Sequence, residues 1–337
     1  MGLLSKIKKE GSIAAIYEKN SDAVRSAVGK HFDSAVLYCK EKYAKLKKSD
    51  AVKAEVPDGA DEAETLLDSV ATQYSSHTLD WVRVVGVSSV IGKRKSQQDA
   101  VAVSEADVKG CFYNKWMAVL CDGMGGLRGG EKASRLCTER MMAYFGECDD
   151  VPEFYKRGIV AIDKEIAALT DDKGDILGAG STMVSVVIDG NKLYWGSVGD
   201  SHIYIIRGNE LVRVTREHNH LAQLLKLADK GKITIEQAYS DRQKDALISY
   251  MGIGNVSLMD VTDRPFILQH GDVVLLCSDG LYRSLAESEI FAVIQKNIMN
   301  MSDAAKELTD EAIKKDFEYQ DNTSVIVIKY QDKEIAG

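Results

Sequence analysis

From Trp81 onward the chain alternates between short apolar runs bounded by turn residues and longer stretches with an apolar residue every three or four positions. The runs at 82–90, 115–121, 181–188, 192–198, 202–207, 257–263, 272–277 and 323–329 predict strands. The longer repeats at 130–146, 153–169, 220–230, 287–298 and 302–315 predict helices. The third helix has Leu221, Leu224, Leu225 and Ala228 in register, Asn219 placed as an N-cap and Gly231 just past its end. Asp189 and Gly190 read as a hairpin turn, because a second apolar run follows at once. Strands this close in sequence favour antiparallel pairing. Their grouping with helices favours an α+β layered domain over a doubly wound sheet.

The first 78 residues have a different texture. Residues 1–50 hold eleven Lys/Arg against six Asp/Glu, whereas residues 51–80 hold one Lys against seven Asp/Glu. Val24, Val28, Phe32, Val36, Cys39, Tyr43 and Leu46 recur at helical spacing between basic faces. The pattern predicts an N-terminal amphipathic helix. It either packs on the main domain or on a partner copy, or lies on a membrane surface. The acidic stretch from Glu55 to Asp68, with Pro57 and Gly59, reads as a linker. The expected division is therefore 1–78 as a helical extension and linker, and 79–332 as the main domain.

A length of 337 residues with 45% hydrophobic and 28% charged content suits a soluble protein with a sizeable core. A net charge of -8 disfavours nucleic-acid binding. No apolar stretch approaches the roughly 18–20 residues of a membrane span, and no signal segment opens the chain. The six cysteines are scattered without a C-x-x-C pair, which points to a reducing cytoplasm.

The candidate chemistry lies in five aspartates. Asp122 closes the apolar run from Ala118, Asp200 follows Val198 and Gly199, Asp279 closes the run from Val273, Asp321 precedes the last run, and Asp99 ends a loop beginning at Gly92. Strands that each bring a carboxylate to one sheet edge concentrate negative charge, which hard divalent cations such as Mg²⁺ and Mn²⁺ compensate through oxygen ligands. The runs before Asp122 and Asp279 are continuous, as in strands buried on both faces. Glycines at 123, 125, 126, 129 and 130 let the backbone approach a ligand closely. Arg94, in the loop before Asp99, has the planar fork that binds phosphate bidentately. Taken singly, each aspartate also fits a turn or helix cap. The set together favours a metal-dependent hydrolase.

With these motifs the chain resembles the metal-dependent serine/threonine protein phosphatases of the PPM (2C) type, bacterial branch. G-x-R-x-x-N-Q-D is matched by Gly92 to Asp99 with Gln97 in the Asn place, and D-G-M-G-G by Asp122 to Gly126. G-[ST]-T is matched by Gly180 to Thr182, G-D-S-R by Gly199 to His202, S-D-G by Ser278 to Gly280, and D-N-x-[ST] by Asp321 to Ser324. The resemblance spans about residues 80–331. It implies a four-layer αββα sandwich of two antiparallel sheets, and hydrolysis of phosphoserine and phosphothreonine by a metal-activated water. In family terms Asp122 bridges two Mg²⁺ or Mn²⁺ ions, with the Gly123 carbonyl on one and Asp279 and Asp321 on the other. Asp200 with Asp279 holds a weaker third ion, Asp99 stands on or next to the ions, largely through water, and Arg94 binds the substrate phosphate. The implied partners are phosphoprotein substrates and an opposing kinase in signal transduction, with the N-terminal helix a candidate for docking.

Three departures matter. Met124 stands where eukaryotic relatives have a histidine, which leaves the general acid unassigned. His202 replaces an arginine, and Glu217-His218-Asn219 stands where Asp-His-Ser is common. His218 and His220 are weighed as a metal pair against a structural or capping role. The competing readings are a pseudoenzyme, disfavoured because no aspartate is missing, and a phosphatase for a regulatory phosphoprotein or a small phosphoester.

Overall fold

The computed structural model describes residues 72–75, 81–104, 115–124, 129–145 and 150–332. The expected helix at 22–48, the acidic linker and Gly125 to Gly126 lie outside them. One antiparallel sheet is built from β1 (Thr72–Ser75), β2 (Trp81–Val90), β7 (His202–Arg207), β8 (Glu210–Arg213), β11 (Val273–Cys277) and β12 (Thr323–Asp332). Its order is β1-β2-β12-β11-β7-β8. The second sheet orders β10 (Phe266–Ile267), β6 (Lys192–Val198), β5 (Met183–Asp189), β4 (Lys115–Asp122) and β3 (Asp99–Val103), with β9 (Asp260–Val261) pairing β6.

Period-two alternation with both sets apolar explains the layering. Along β4, Trp116, Ala118 and Leu120 join Val184, Val186, Val274, Leu276, Ile326 and Ile328 in a core between the sheets. Met117, Val119 and Cys121 turn the other way, onto α1 (Gly130–Phe145) and α2 (Val151–Ala167). On the outside of the first sheet, Val273, Leu275 and Val327 pack on α6 (Glu287–Lys296) and α7 (Met301–Lys314). The order is helix, sheet, sheet, helix, with each large buried side chain stabilising it by about 1.5–3 kcal/mol. The continuous apolar runs are thus strands buried on both faces.

The remaining elements lie at the margins. They are α3 (His220–Asp229), α4 (Ile235–Ser240) and α5 (Asp279–Tyr282). Asn219 caps α3, its side chain accepting from the Ala222 amide at 3.0 Å. The hairpin at Asp189 closes with Asp189 opposite Lys192. The strand expected over 257–263 shrinks to Asp260 and Val261, because only Ser197 and Gly196 face it and the buried Asp260 carboxylate is drawn into an ion pair with the partly exposed Arg216. Thr72–Ser75, within the stretch expected as extension, pairs with β2.

Helix α7 crosses β2 at Gly86, where an added Cβ would lie 1.8 Å from the Met301 carbonyl oxygen. Backbone cannot step aside as a side chain can. Gly86→Ala is therefore expected to destabilise the domain by about 3 kcal/mol, read as a fall in Tm of roughly 5–10 °C.

Candidate metal centre

Each acidic residue is delivered by a strand end or the turn beside it. Asp99 begins β3 and Asp122 ends β4, and the two face each other directly across the ladder. Asp122 is fixed by the Gly180 to Thr182 motif. Its amide donates to Thr182 Oγ1 at 3.1 Å, and its carbonyl accepts from the Thr182 amide at 2.8 Å and Ser181 Oγ at 2.9 Å. Gly123 must be glycine, since a Cβ would meet the Gly130 carbonyl oxygen at 2.4 Å and that of Gln98 at 2.6 Å.

Asp279 opens α5 immediately after β11. Asp321 lies one residue from Asn322, whose side chain staples the Arg94 loop. Asn322 Nδ2 donates to the carbonyls of Ile91 at 2.8 Å and Ser96 at 3.2 Å, and Oδ1 accepts from the Gln98 amide at 2.8 Å. That stapling is the role of Asn322 in the Asp-Asn pair. Gln97, in the Asn position, bonds Ser89 Oγ through Nε2 and accepts from the Asp99 amide through Oε1.

Asp122, Asp200, Asp279 and Asp321 line one cavity of about 260 Å³, together with Gly123, Met124, Thr182, Arg283 and residues 245–247. Asp99 is buried beside them, its Oδ2 accepting from Ser278 Oγ at 2.8 Å. Burial, with added repulsion from Asp279 and Asp321, pushes the Asp99 carboxyl up to about 7. Burial and the Asp279 charge push Asp200 up to about 7 as well. Asp122 is raised well above the ordinary carboxylate range by burial and by Asp99, Asp279 and Asp200. Asp279 is raised by burial, against the opposing pull of Arg283.

Two arginines partly offset this charge. Arg94 Nη2 meets Asp321 Oδ2 at 2.5 Å, and Arg283 reaches Asp279 Oδ2 through Nε at 3.1 Å and Asp200 Oδ2 through Nη2 at 3.6 Å. Asp99 Oδ1 and Asp279 Oδ1 are nonetheless buried without a hydrogen-bond partner. Unpaired buried carboxylate oxygens are costly, and an all-oxygen donor set of this kind suits a hard divalent cation. The residues therefore fit Mg²⁺ or Mn²⁺. Among the described residues no three His, Cys, Asp or Glu side chains converge closely enough to hold an ion by themselves. A cation here would draw on the Gly123 carbonyl and water as well.

His218 and His202 brace the backbone around Asp200. His218 is buried, and its Nδ1 accepts from the Gly199 amide at 3.1 Å while its own amide donates to the Gly199 carbonyl at 2.9 Å. This double clamp holds Gly199, at φ 100°, directly before Asp200. His202 stacks on Tyr282 at 3.7 Å between centroids, and the Tyr282 hydroxyl donates to the Asp200 carbonyl. Its Nε2 bonds Glu217. That bond first, and Arg213 beside it, hold Glu217 down to about 2.

Sequence reasoning missed Arg283, although its position four residues after Asp279 was the available signal once α5 is seen as a helix turn. It also missed Asp245. Nothing local marks that residue, because its place depends on how the 219–248 segment folds back.

A two-sheet sandwich that turns its aspartate-bearing strand ends into one oxygen-lined cavity has the architecture of a metal-dependent hydrolase. The family model described as protein phosphatase 2C matches residues 88–317, and the chain belongs to that family. It is a PPM-type protein phosphatase. The serine/threonine phosphatase stp of Listeria welshimeri is 27% identical over 234 residues, covering 66% of this chain and 89% of that protein. Protein phosphatase PhpP of Streptococcus pneumoniae is 31% identical over 187 residues, covering 54% of this chain and 74% of that protein. The crystal structure of PstP from Mycobacterium tuberculosis superposes with a TM-score of 0.61 at 26% identity, covering 74% of this chain and 99% of that one. A structure of the PstP catalytic domain in complex with two manganese ions gives a TM-score of 0.60 at 27% identity, covering 75% and 100%.

Proposed function

We propose that the protein hydrolyses phosphoserine and phosphothreonine in proteins, using two Mg²⁺ or Mn²⁺ ions held by Asp122, the Gly123 carbonyl, Asp279 and Asp321. A weaker third ion belongs to Asp200 and Asp279. The observation that carries this reading is the convergence of four aspartates on one cavity, with buried carboxylate oxygens that no protein donor satisfies. Bound there, the ions acidify a water and stabilise charge developing on the phosphoryl group.

The chain's own residues position and hold. Arg94, tied to Asp321 at 2.5 Å, is near enough to exchange that carboxylate for a substrate phosphate once cations compensate Asp321. Asp99, braced by Ser278, stands behind Asp122 and orients it or an intervening water. Among the described residues the cavity lining contains no histidine.

The relatives named serine/threonine phosphatases support the substrate class, and an opposing serine/threonine kinase follows from it. A cytoplasmic setting agrees with the free, buried thiols of Cys121, Cys137 and Cys277. Among the described residues no helix is long and apolar enough to cross a membrane. The N-terminal helix expected from the sequence is assigned to docking a partner or a second copy, whereas Thr72–Ser75 belongs to the sheet.

The deciding experiment is hydrolysis of a phosphothreonine peptide by the whole chain with Mn²⁺, with Mg²⁺ and with EDTA. Turnover that EDTA abolishes is expected; folded protein inactive with both metals would refute the reading. Arg94→Ala should raise KM for the phosphopeptide about 10–100-fold, the worth of a charge-assisted contact, while half-saturating Mn²⁺ stays the same or falls slightly. An unchanged KM would remove Arg94 from the phosphate site.

A further inference from the structure

We propose that Asp245 is a specificity-determining residue that favours phosphoprotein substrates carrying Arg or Lys within a few residues of the phosphorylated one. The proposal rests on the phosphoprotein reading above and adds the charge of the sequence around the phosphosite.

Asp245 lines the same cavity as Asp122, Asp200, Asp279 and Asp321, but it comes from the segment between His218 and Ile248 rather than from a sheet edge. That segment is clasped at its base. The Leu221 amide donates to the Lys244 carbonyl at 2.8 Å and the His220 amide to the Ala246 carbonyl at 2.9 Å, so both neighbours of Asp245 are tied to the first turn of α3. The Ile248 amide closes the clasp on the His218 carbonyl at 2.9 Å, and Asn219 pairs with Leu247. Asp245 is therefore held at the rim by backbone bonds. It does not ride on a loose tip.

Its electrostatic setting differs from that of the floor. Asp99 and Asp200 are 8% and 6% exposed, whereas Asp245 is exposed. The two arginines near the cavity are engaged with floor carboxylates, Arg94 with Asp321 and Arg283 with Asp279 and Asp200. The adjacent Lys244 ammonium donates to the Tyr239 carbonyl at 3.2 Å. Among the described residues, Asp245 has neither an ion pair nor a side-chain hydrogen bond. Asp122, on the floor, likewise has no ion pair, so among the described lining residues Asp245 is the exposed carboxylate that no protein cation offsets.

A substrate must bring its phosphate to the floor, so its flanking residues cross the rim. An extended chain advances about 3.3–3.6 Å per residue, which brings side chains within two or three positions of the phosphoresidue past Asp245. A basic flank there gains an ion pair, and an acidic flank meets like charge. Exposed pairs of this kind shift affinity by up to about fivefold. A role as a further cation ligand fits less well, because the residue is exposed and comes from the segment between His218 and Ile248, not from a sheet edge.

The test uses the whole chain and three phosphothreonine peptides that differ only in having Arg, Ala or Glu at the two positions flanking the phosphoresidue. The wild-type protein should favour the Arg peptide over the Glu peptide by about fivefold in kcat/KM, mostly through KM, with the preference shrinking as salt rises. Asp245→Asn should bring the ratio near one, and Asp245→Lys should reverse it. Turnover without charge preference, or a preference that Asp245→Asn leaves intact, would overturn the inference alone. An equal loss on all three peptides would assign Asp245 to the floor and overturn it as well. No turnover of any peptide by the wild-type chain would instead fell the phosphoprotein reading, and this inference with it.

Discussion

Asp279→Asn is expected to lower phosphothreonine-peptide hydrolysis by about 10³-fold or more with either Mn²⁺ or Mg²⁺, while the protein stays folded. The size follows from the several kcal/mol that a cation supplies to developing charge, at about 1.36 kcal/mol per tenfold in rate. Folding should survive for reasons visible in the site. Asn keeps the shape of Asp, and Arg283 retains its contact with Asp200. The substitution also relieves repulsion, since the Asp279 charge raises the carboxyls of Asp99, Asp122 and Asp200. Without cations, the variant's Tm should therefore equal or exceed that of the parent chain, and its gain in Tm on adding Mn²⁺ should be smaller. Scanning calorimetry with and without Mn²⁺, run beside the peptide assay, separates the outcomes. Full activity would remove Asp279 from the centre. A large fall in cation-free Tm would make it a structural residue whose loss merely unfolds the domain.

How far the sequence could be read depended on whether a feature was local. The apolar runs before Asp122 and Asp279 announced strands covered on both faces, and β4 and β11 are such strands. The capped third helix also appears as expected, because its signals sit within one turn of its ends. The short extent of β9, expected as a strand over 257–263, and the existence of the two-residue β10 were beyond such reading. Neither strand has periodicity, and the extent of both is set by the edge of β6. The site divides in the same way. Asp122, Asp200 and Asp321 stand beside the runs that carry them, so their convergence could be anticipated. Asp245 reaches the cavity because its neighbours Lys244 and Ala246 accept backbone bonds from Leu221 and His220, more than 20 residues earlier, which no local pattern encodes. Arg283 depended on recognising a single helical turn after Asp279, too short for an apolar repeat to show.

The same crowded carboxylates make a prediction about stability in the absence of cations. Asp99 and Asp200 are each raised from 3.8 to about 7, chiefly by burial. A carboxyl with a folded-state pKa above its unfolded value binds a proton in the folded protein throughout the interval between the two. Its contribution is therefore largest below about pH 4 and is lost as pH rises through about 7. Glu217 works in the opposite sense. Held down to about 2 by His202 and Arg213, it stabilises above its ordinary 4.5 and that stability is lost as pH falls toward 2. Cation-free protein should accordingly be most stable near pH 5 and weaken toward pH 8. Between pH 5 and the folded-state value near 7 each group contributes about two units, or about 2.7 kcal/mol, and two groups in a shared field yield less than twice that. At about 2–4 °C per kcal/mol, the expected fall in Tm between pH 5 and pH 8 is roughly 10 °C. Saturating Mn²⁺ should flatten this slope, because a bound cation favours the ionised carboxylates, so the gain in Tm from metal should be larger at pH 8 than at pH 5. A cation-free Tm that holds level or rises over that interval, with the same metal gain at every pH, would mean that these aspartates do not carry the uncompensated charge on which the metal centre rests.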